Sequence, residues 1–127
     1  MAITGHYITV SGIKTYYETN NGPSDKCTML CIHTAGRETR QYHAMMEIFA
    51  DKYQVIALDM PAHGKSWPLP GNKAFTKRDD FSAFIWSFMQ TIGIADAICV
   101  GCTLAGNLAY HWSLATPVQP ILYLQAP

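Results

Sequence analysis

Three short stretches of this sequence could do chemistry, and each follows directly on an apolar run. Gly101-Cys102-Thr103-Leu104-Ala105-Gly106 comes after Ala97–Val100. His33-Thr34-Ala35-Gly36 comes after Met29–Ile32. Asp59-Met60-Pro61-Ala62-His63-Gly64-Lys65-Ser66 comes after Tyr53–Leu58. The first is the most specific. A buried strand, a glycine-flanked turn and a helix are the setting of the G-x-S-x-G nucleophile elbow, whose strained turn lifts one side chain to the start of a helix. Close strand–helix contact needs small neighbours there, and Gly101, Ala105 and Gly106 are small. The chemistry is nucleophilic attack by the side chain at the apex.

Thr103 holds that apex, where the motif has serine. Its β-branch restricts χ1, and its methyl crowds a turn that is already strained. Threonine nucleophiles usually take an N-terminal amine as base. Three readings of Thr103 therefore stand side by side: a nucleophile, an inherited remnant, or a deliberate substitution. Cys102 is the better intrinsic nucleophile, but strand alternation points it into the fold, as packing beside the site. Arg37 and Arg40 either bind a carboxylate or mark a solvated helix start. Trp67 either lines the cleft or covers the core. Gly101–Gly106 matches neither G-x-G-x-x-G nor the phosphate loop with its Lys-Ser/Thr.

The elements that must position these turns are legible in the pattern. His6–Val10 and Ile13–Glu18, rich in β-branched and aromatic residues around Ser11-Gly12, read as a hairpin. Asn20–Asp25 is a loop by composition. Met29–Ile32, Tyr53–Leu58, Ala97–Val100 and Ile121–Leu124 are short apolar runs, the mark of strands buried on both faces. Thr39 is expected to cap a helix with Tyr42, Met45, Met46 and Phe49 on one face. Ser66–Phe75 is a loop. Thr76 is expected to cap a long helix with Phe81, Phe84, Ile85, Phe88 and Ile92 inward and Gly93 as its C-terminal stop. Asn107–Ala115 reads as another helix, closed by Pro117 and Pro120. Alternating strands and helices predict one α/β domain over 1–127, a three-layer αβα arrangement with about six strands, mostly parallel behind an antiparallel hairpin.

Composition narrows the function. The 127 residues carry 9 Lys+Arg against 9 Asp+Glu, with 14% charged, 49% hydrophobic and 12% aromatic. Such a chain is not disordered and has no electrostatic footprint for nucleic acid or an acidic membrane. No apolar run reaches the roughly 18 residues of a membrane span. Met1–Val10 lacks the basic and apolar regions of a secretory signal, so the expected compartment is the cytosol. The spacing of Cys27, Cys31, Cys99 and Cys102 fits no zinc or disulfide framework. Cys31 and Cys99 read as buried free thiols, and neither metal nor cofactor is expected.

The three turns together resemble the α/β-hydrolase superfamily over almost the whole chain. The resemblance implies a backbone oxyanion hole, with Ala35 as the first donor and Leu104 as the second. Asp59–Ser66 is similar to the family's D-x-P-G-x-G-x-S turn, with Ala62 in place of a Gly; its implied role is to hold the loops over the site. Thr34 stands where the family has Gly. His33, Thr34, Cys102 and Trp67 are the implied substrate-side residues, and the substrate is a small molecule: an ester, lactone, epoxide or activated C–C bond.

In that family the lid, the triad acid and the triad histidine follow the strand matching Ile121–Leu124. None of His6, His33, His43, His63 and His111 matches the catalytic histidine. The expectation is thus an N-terminal half that needs a complementary segment for activity. The alternative is a catalytically inactive, hydrolase-like interaction module. Either way the apolar edge at Ile121–Leu124 is expected to be occupied, by a second polypeptide or by self-association.

Overall fold

A computed structural model describes residues 3–23, 25, 28–33, 38–60, 64–66, 78–94, 97–102 and 121–124. They begin with the hairpin, β1 (Thr4–Val10) and β2 (Ile13–Thr19), closed by the pair Val10 and Ile13. Ser11 and Gly12 have φ of 50° and 81°. Positive φ at both central residues defines the type I′ turn, whose twist matches that of the strands.

Four further strands complete a six-stranded sheet in the order β1-β2-β4-β3-β5-β6. They are β3 (Thr28–Ile32), β4 (Gln54–Leu58), β5 (Ile98–Cys102) and β6 (Ile121–Leu124). β4, β3, β5 and β6 run parallel, and β2 joins β4 antiparallel. The mixed α/β sheet expected from the sequence is therefore present, with Ile121–Leu124 at one edge of the described sheet.

Alternation along the strands builds two cores, one on each face. Leu30, Ile32, Ile56, Leu58 and Cys99 pack on one side with Phe84, Ile85, Phe88 and Met89 of helix α2 (Arg78–Ile92). Cys31, Val55, Ala57 and Val100 pack on the other with Tyr42 and with Met46 of helix α1 (His43–Ile48). The inward face of α2 matches the sequence reading, with Met89 added. Gly93, at φ 79°, ends α2 in the left-handed conformation that glycine adopts without strain. Cys31 and Cys99 are buried free thiols, and burial pushes the Cys99 thiol up.

The first helix differs from expectation. It opens as a 3₁₀ turn over Thr39–Tyr42 before α1. Glu38 occupies the capping position and makes no side-chain cap bond. Thr39 thus lies inside the turn instead of capping it, because a carboxylate elsewhere in the fold takes its amide.

Asn20, expected in a loop, is fully buried and acts as a knot. Its amide NH2 donates to the carbonyls of Met46 and Tyr53, and its Oδ1 accepts the N–H groups of Gly22 and Val55. All of its bonding capacity is met, as a buried amide requires. Among the described residues no helix is long and apolar enough to cross a membrane.

Candidate active site

The register of the parallel strands sets the candidate site. Ile32 is abreast of Leu58 on one side and of Gly101 on the other. The next residues, His33 and Asp59 just past their strands and Cys102 as the last residue of β5, therefore stand side by side at one edge, at strand spacings of about 4.8 Å. Ligands of open α/β sheets bind at this carboxyl edge.

Asp59 organises it. The side chain is 1% exposed. Oδ1 accepts the Thr39 N–H at 2.9 Å and Oδ2 accepts the Lys65 N–H at 2.8 Å. The Asp59 carbonyl accepts the Ser66 hydroxyl at 2.6 Å, and Ser66 Oγ in turn accepts the Tyr16 N–H at 2.9 Å. The Asp59 N–H donates to the Tyr16 carbonyl at 3.0 Å. One aspartate and one serine, seven residues apart, thus close the turn after β4 and tie it to β2. Gly64 completes the turn at φ 51°, and a Cβ there would sit 2.2 Å from Asp59 Oδ2. Only glycine satisfies both conditions.

His33 leaves β3 beside this turn. It is 3% exposed, and its Nε2 accepts the Met60 N–H at 2.9 Å. That bond leaves the ring proton of the neutral imidazole on Nδ1. The Tyr42 hydroxyl donates to the Ile32 carbonyl at 2.8 Å, so the end of β3 is also held from the 3₁₀ turn.

A second carboxylate lies close by. Glu18 accepts the Tyr16 hydroxyl at 2.7 Å and His43 Nε2 at 2.6 Å. Burial alone would raise its pKa, but hydrogen bonds from Tyr16, His43 and Thr39 outweigh that and hold the carboxyl below its usual range. Burial and the Glu18 hydrogen bond push the Tyr16 phenol up. A cavity of about 350 Å³ opens on Tyr16, Glu18, Thr39, His43, Asp59 and Lys65. Among the described residues no group of three or more His, Cys, Asp or Glu side chains is placed to hold a metal.

Of the residues singled out from sequence, His33 stands at the edge as described and Cys102 closes β5. Thr34, Ala35, Trp67, Thr103 and Leu104 lie outside the described residues, as do Arg37, the Thr76 cap and the helix expected over Asn107–Ala115. Arg40 is exposed and pairs with Glu38. Sequence reasoning missed Glu18 and Asn20. For Glu18 a signal existed: Tyr16 and Glu18 are two apart in a strand and so share one face.

Residues 28–121, well over half of the chain, match the family model for the alpha/beta hydrolase fold. The chain belongs to the α/β-hydrolase family. Among curated relatives, it is 32% identical over 111 residues to the dihydrolipoyllysine-residue acetyltransferase component of the acetoin cleaving system of Cupriavidus necator. That match covers 87% of this chain and 28% of the relative. Naproxen esterase from Bacillus subtilis shares the fold at a TM-score of 0.83 and 20% identity, over 96% of this chain and 42% of the esterase. A haloalkane dehalogenase from Bradyrhizobium elkani does so at 0.79 and 24%, over 91% and 38%. At such identities the likeness shows the α/β-hydrolase fold alone. The chain spans between 28% and 39% of the length of the curated relatives it matches.

Proposed function

We propose that this chain supplies the N-terminal part of an α/β-hydrolase catalytic domain acting on an ester, lactone, epoxide or activated C–C bond. The observation that carries the reading is the common register of Leu58, Ile32 and Gly101. It delivers His33, Asp59 and Cys102 to one edge, with Thr103 as the next residue after β5.

In this reading the Thr103 hydroxyl attacks the electrophilic carbon. The N–H groups of Ala35 and Leu104 receive the developing oxyanion, the term usually worth most in such reactions. His33, Thr34, Cys102 and Trp67 flank the substrate. The base and the acid that orients it come from polypeptide outside these 127 residues, which cover little over a third of the curated relatives at most. That polypeptide, or a second copy of this chain, pairs with β6.

The β-branched residue at the apex supports a second reading, a hydrolase-like interaction module without turnover. Covalent capture separates the two. A fluorophosphonate should label the full protein, and peptide mapping should place the adduct on Thr103. Absence of labelling in a folded sample, or an adduct on Cys102, counts against Thr103 as the nucleophile.

A further inference from the structure

The turn after β2 demands both of its residues Asn21 and Gly22. Asn21 has a φ of 56°, the left-handed conformation that asparagine tolerates better than most residues with a side chain. At Gly22 an added Cβ would sit 2.0 Å from the Tyr53 carbonyl oxygen, so no larger residue fits. The fold therefore keeps an Asn-Gly pair together, and that pair is chemically labile. A glycine after asparagine places no side chain in the way when its backbone nitrogen attacks the carboxamide. We propose that Asn21 is a modification site, at which the folded protein deamidates slowly to aspartate and isoaspartate, and that the turn itself restrains the reaction.

Hydroxide removes the Gly22 N–H proton. The Gly22 nitrogen then bonds to Asn21 Cγ, the Cγ–Nδ2 bond breaks, and the amide nitrogen leaves as ammonia after taking a proton from water. The cyclic imide takes up one water. Opening between Gly22 N and Cγ gives aspartate. Opening between Gly22 N and the Asn21 backbone carbonyl carbon gives isoaspartate, whose main chain runs through Cβ and Cγ. Water is consumed, ammonia is released, and nothing is oxidised or reduced.

The structure restrains both reacting groups. The Gly22 N–H donates to Oδ1 of the buried Asn20 at 2.9 Å. The Asn21 carboxamide faces Thr4: its Nδ2 donates to Thr4 Oγ1 at 3.2 Å, and the Thr4 hydroxyl lies 3.5 Å from its Oδ1. The Asn21 N–H donates to Thr19 Oγ1 at 3.1 Å. Asn21 and Thr4 are nevertheless exposed, so water and hydroxide reach the pair. Attack thus waits for a local opening that breaks the Gly22 and Thr4 bonds. Isoaspartate inserts an extra main-chain carbon before Gly22. That insertion displaces Gly22 from Asn20 and Tyr53 and loosens the knot that Asn20 ties with Met46, Tyr53 and Val55.

The test incubates the full protein, wild type, Thr4→Ala and Asn21→Gly, at mildly alkaline pH with and without guanidinium chloride. Peptide mapping by mass spectrometry and enzymatic methylation of isoaspartate follow conversion at Asn20, Asn21, Asn72 and Asn107. In denaturant Asn21 should convert first of the four. In the folded protein its conversion should remain measurable but run roughly tenfold or more slower, the cost of local opening. Thr4→Ala should raise the folded rate about threefold, the usual worth of one lost hydrogen bond, and should match wild type in denaturant. Asn21→Gly, which accepts the left-handed turn, should abolish the signal at this position. An Asn21 that stays intact in the folded protein, equal rates with and without denaturant, or a folded Thr4→Ala that converts no faster than wild type would overturn the proposal. So would another asparagine converting first in denaturant.

Discussion

Asp59 and Thr39 lie 20 residues apart, yet Asp59 Oδ1 accepts the Thr39 N–H at 2.9 Å. The end of β4 thereby fixes where the chain re-enters regular structure after β3. Asp59→Asn keeps the shape but replaces one acceptor with a donor facing a backbone N–H. The expected loss is about 1–3 kcal/mol, the usual cost of an unsatisfied buried group. Urea denaturation checks it, and a variant as stable as wild type would show that the turn does not depend on this carboxylate.

Gly64 and Gly93 form an internal comparison. Both have positive φ, 51° and 79°, but an added Cβ would strike Asp59 only at Gly64 and meets nothing within 4 Å at Gly93. Gly93→Ala should cost about 1 kcal/mol through the backbone term. Gly64→Ala carries the same term plus a clash, so its loss should be clearly larger. Equal losses in thermal or urea unfolding would mean that the contact with Asp59 is relieved without cost.

Glu18 gives a pH signature. Its carboxyl is held below the ordinary value of 4.5, so its contribution is fully present above that value and is lost as pH falls through the lower folded value. Glu18→Gln should be about 1–3 kcal/mol less stable at neutral pH. The gap to wild type should close on acidification. Unfolding midpoints for both proteins across the acid range decide this, and a gap that widens at low pH would reverse the sign.

The edge at β6 makes a separate prediction. Ile121–Leu124 pairs with β5, and all four residues are uncharged. If a second chain or copy adds to this edge, Leu122→Lys should weaken the association or cause precipitation. Light scattering should show the change, and a soluble monomer before and after the substitution would rule out pairing through this strand.

Much of the fold was legible because two periodicities dominate the sequence. The apolar runs ending at Ile32, Leu58 and Val100 mark parallel strands, and Phe81, Phe84, Ile85 and Phe88 mark the inward face of α2. The Ser11-Gly12 turn was legible from local chemistry alone. What escaped was polar and long-range. Asn20 looks like a loop residue because asparagine favours turns, and only the approach of Met46 and Tyr53 gives it a buried role. Glu18 looks like a solvated strand end until α1 brings His43 onto it. Thr39 looks like a cap, but the carboxylate that decides its role is Asp59, supplied by another strand. At the site, three motifs were visible in the sequence, whereas the bonds by which Asp59 and His33 join the segments after β4 and β3 depend on strand order.

The most direct measurement is turnover of an activated aryl ester by the full protein carrying threonine, serine or alanine at position 103. Thr103→Ser removes the crowding methyl and should raise kcat, whereas Thr103→Ala should reduce activity to the residual left by oxyanion stabilisation and binding, about 10³–10⁴-fold over water in serine proteases. Equal activity in all three would contradict a nucleophile at Thr103, and with it the reading of this edge as a hydrolase active site.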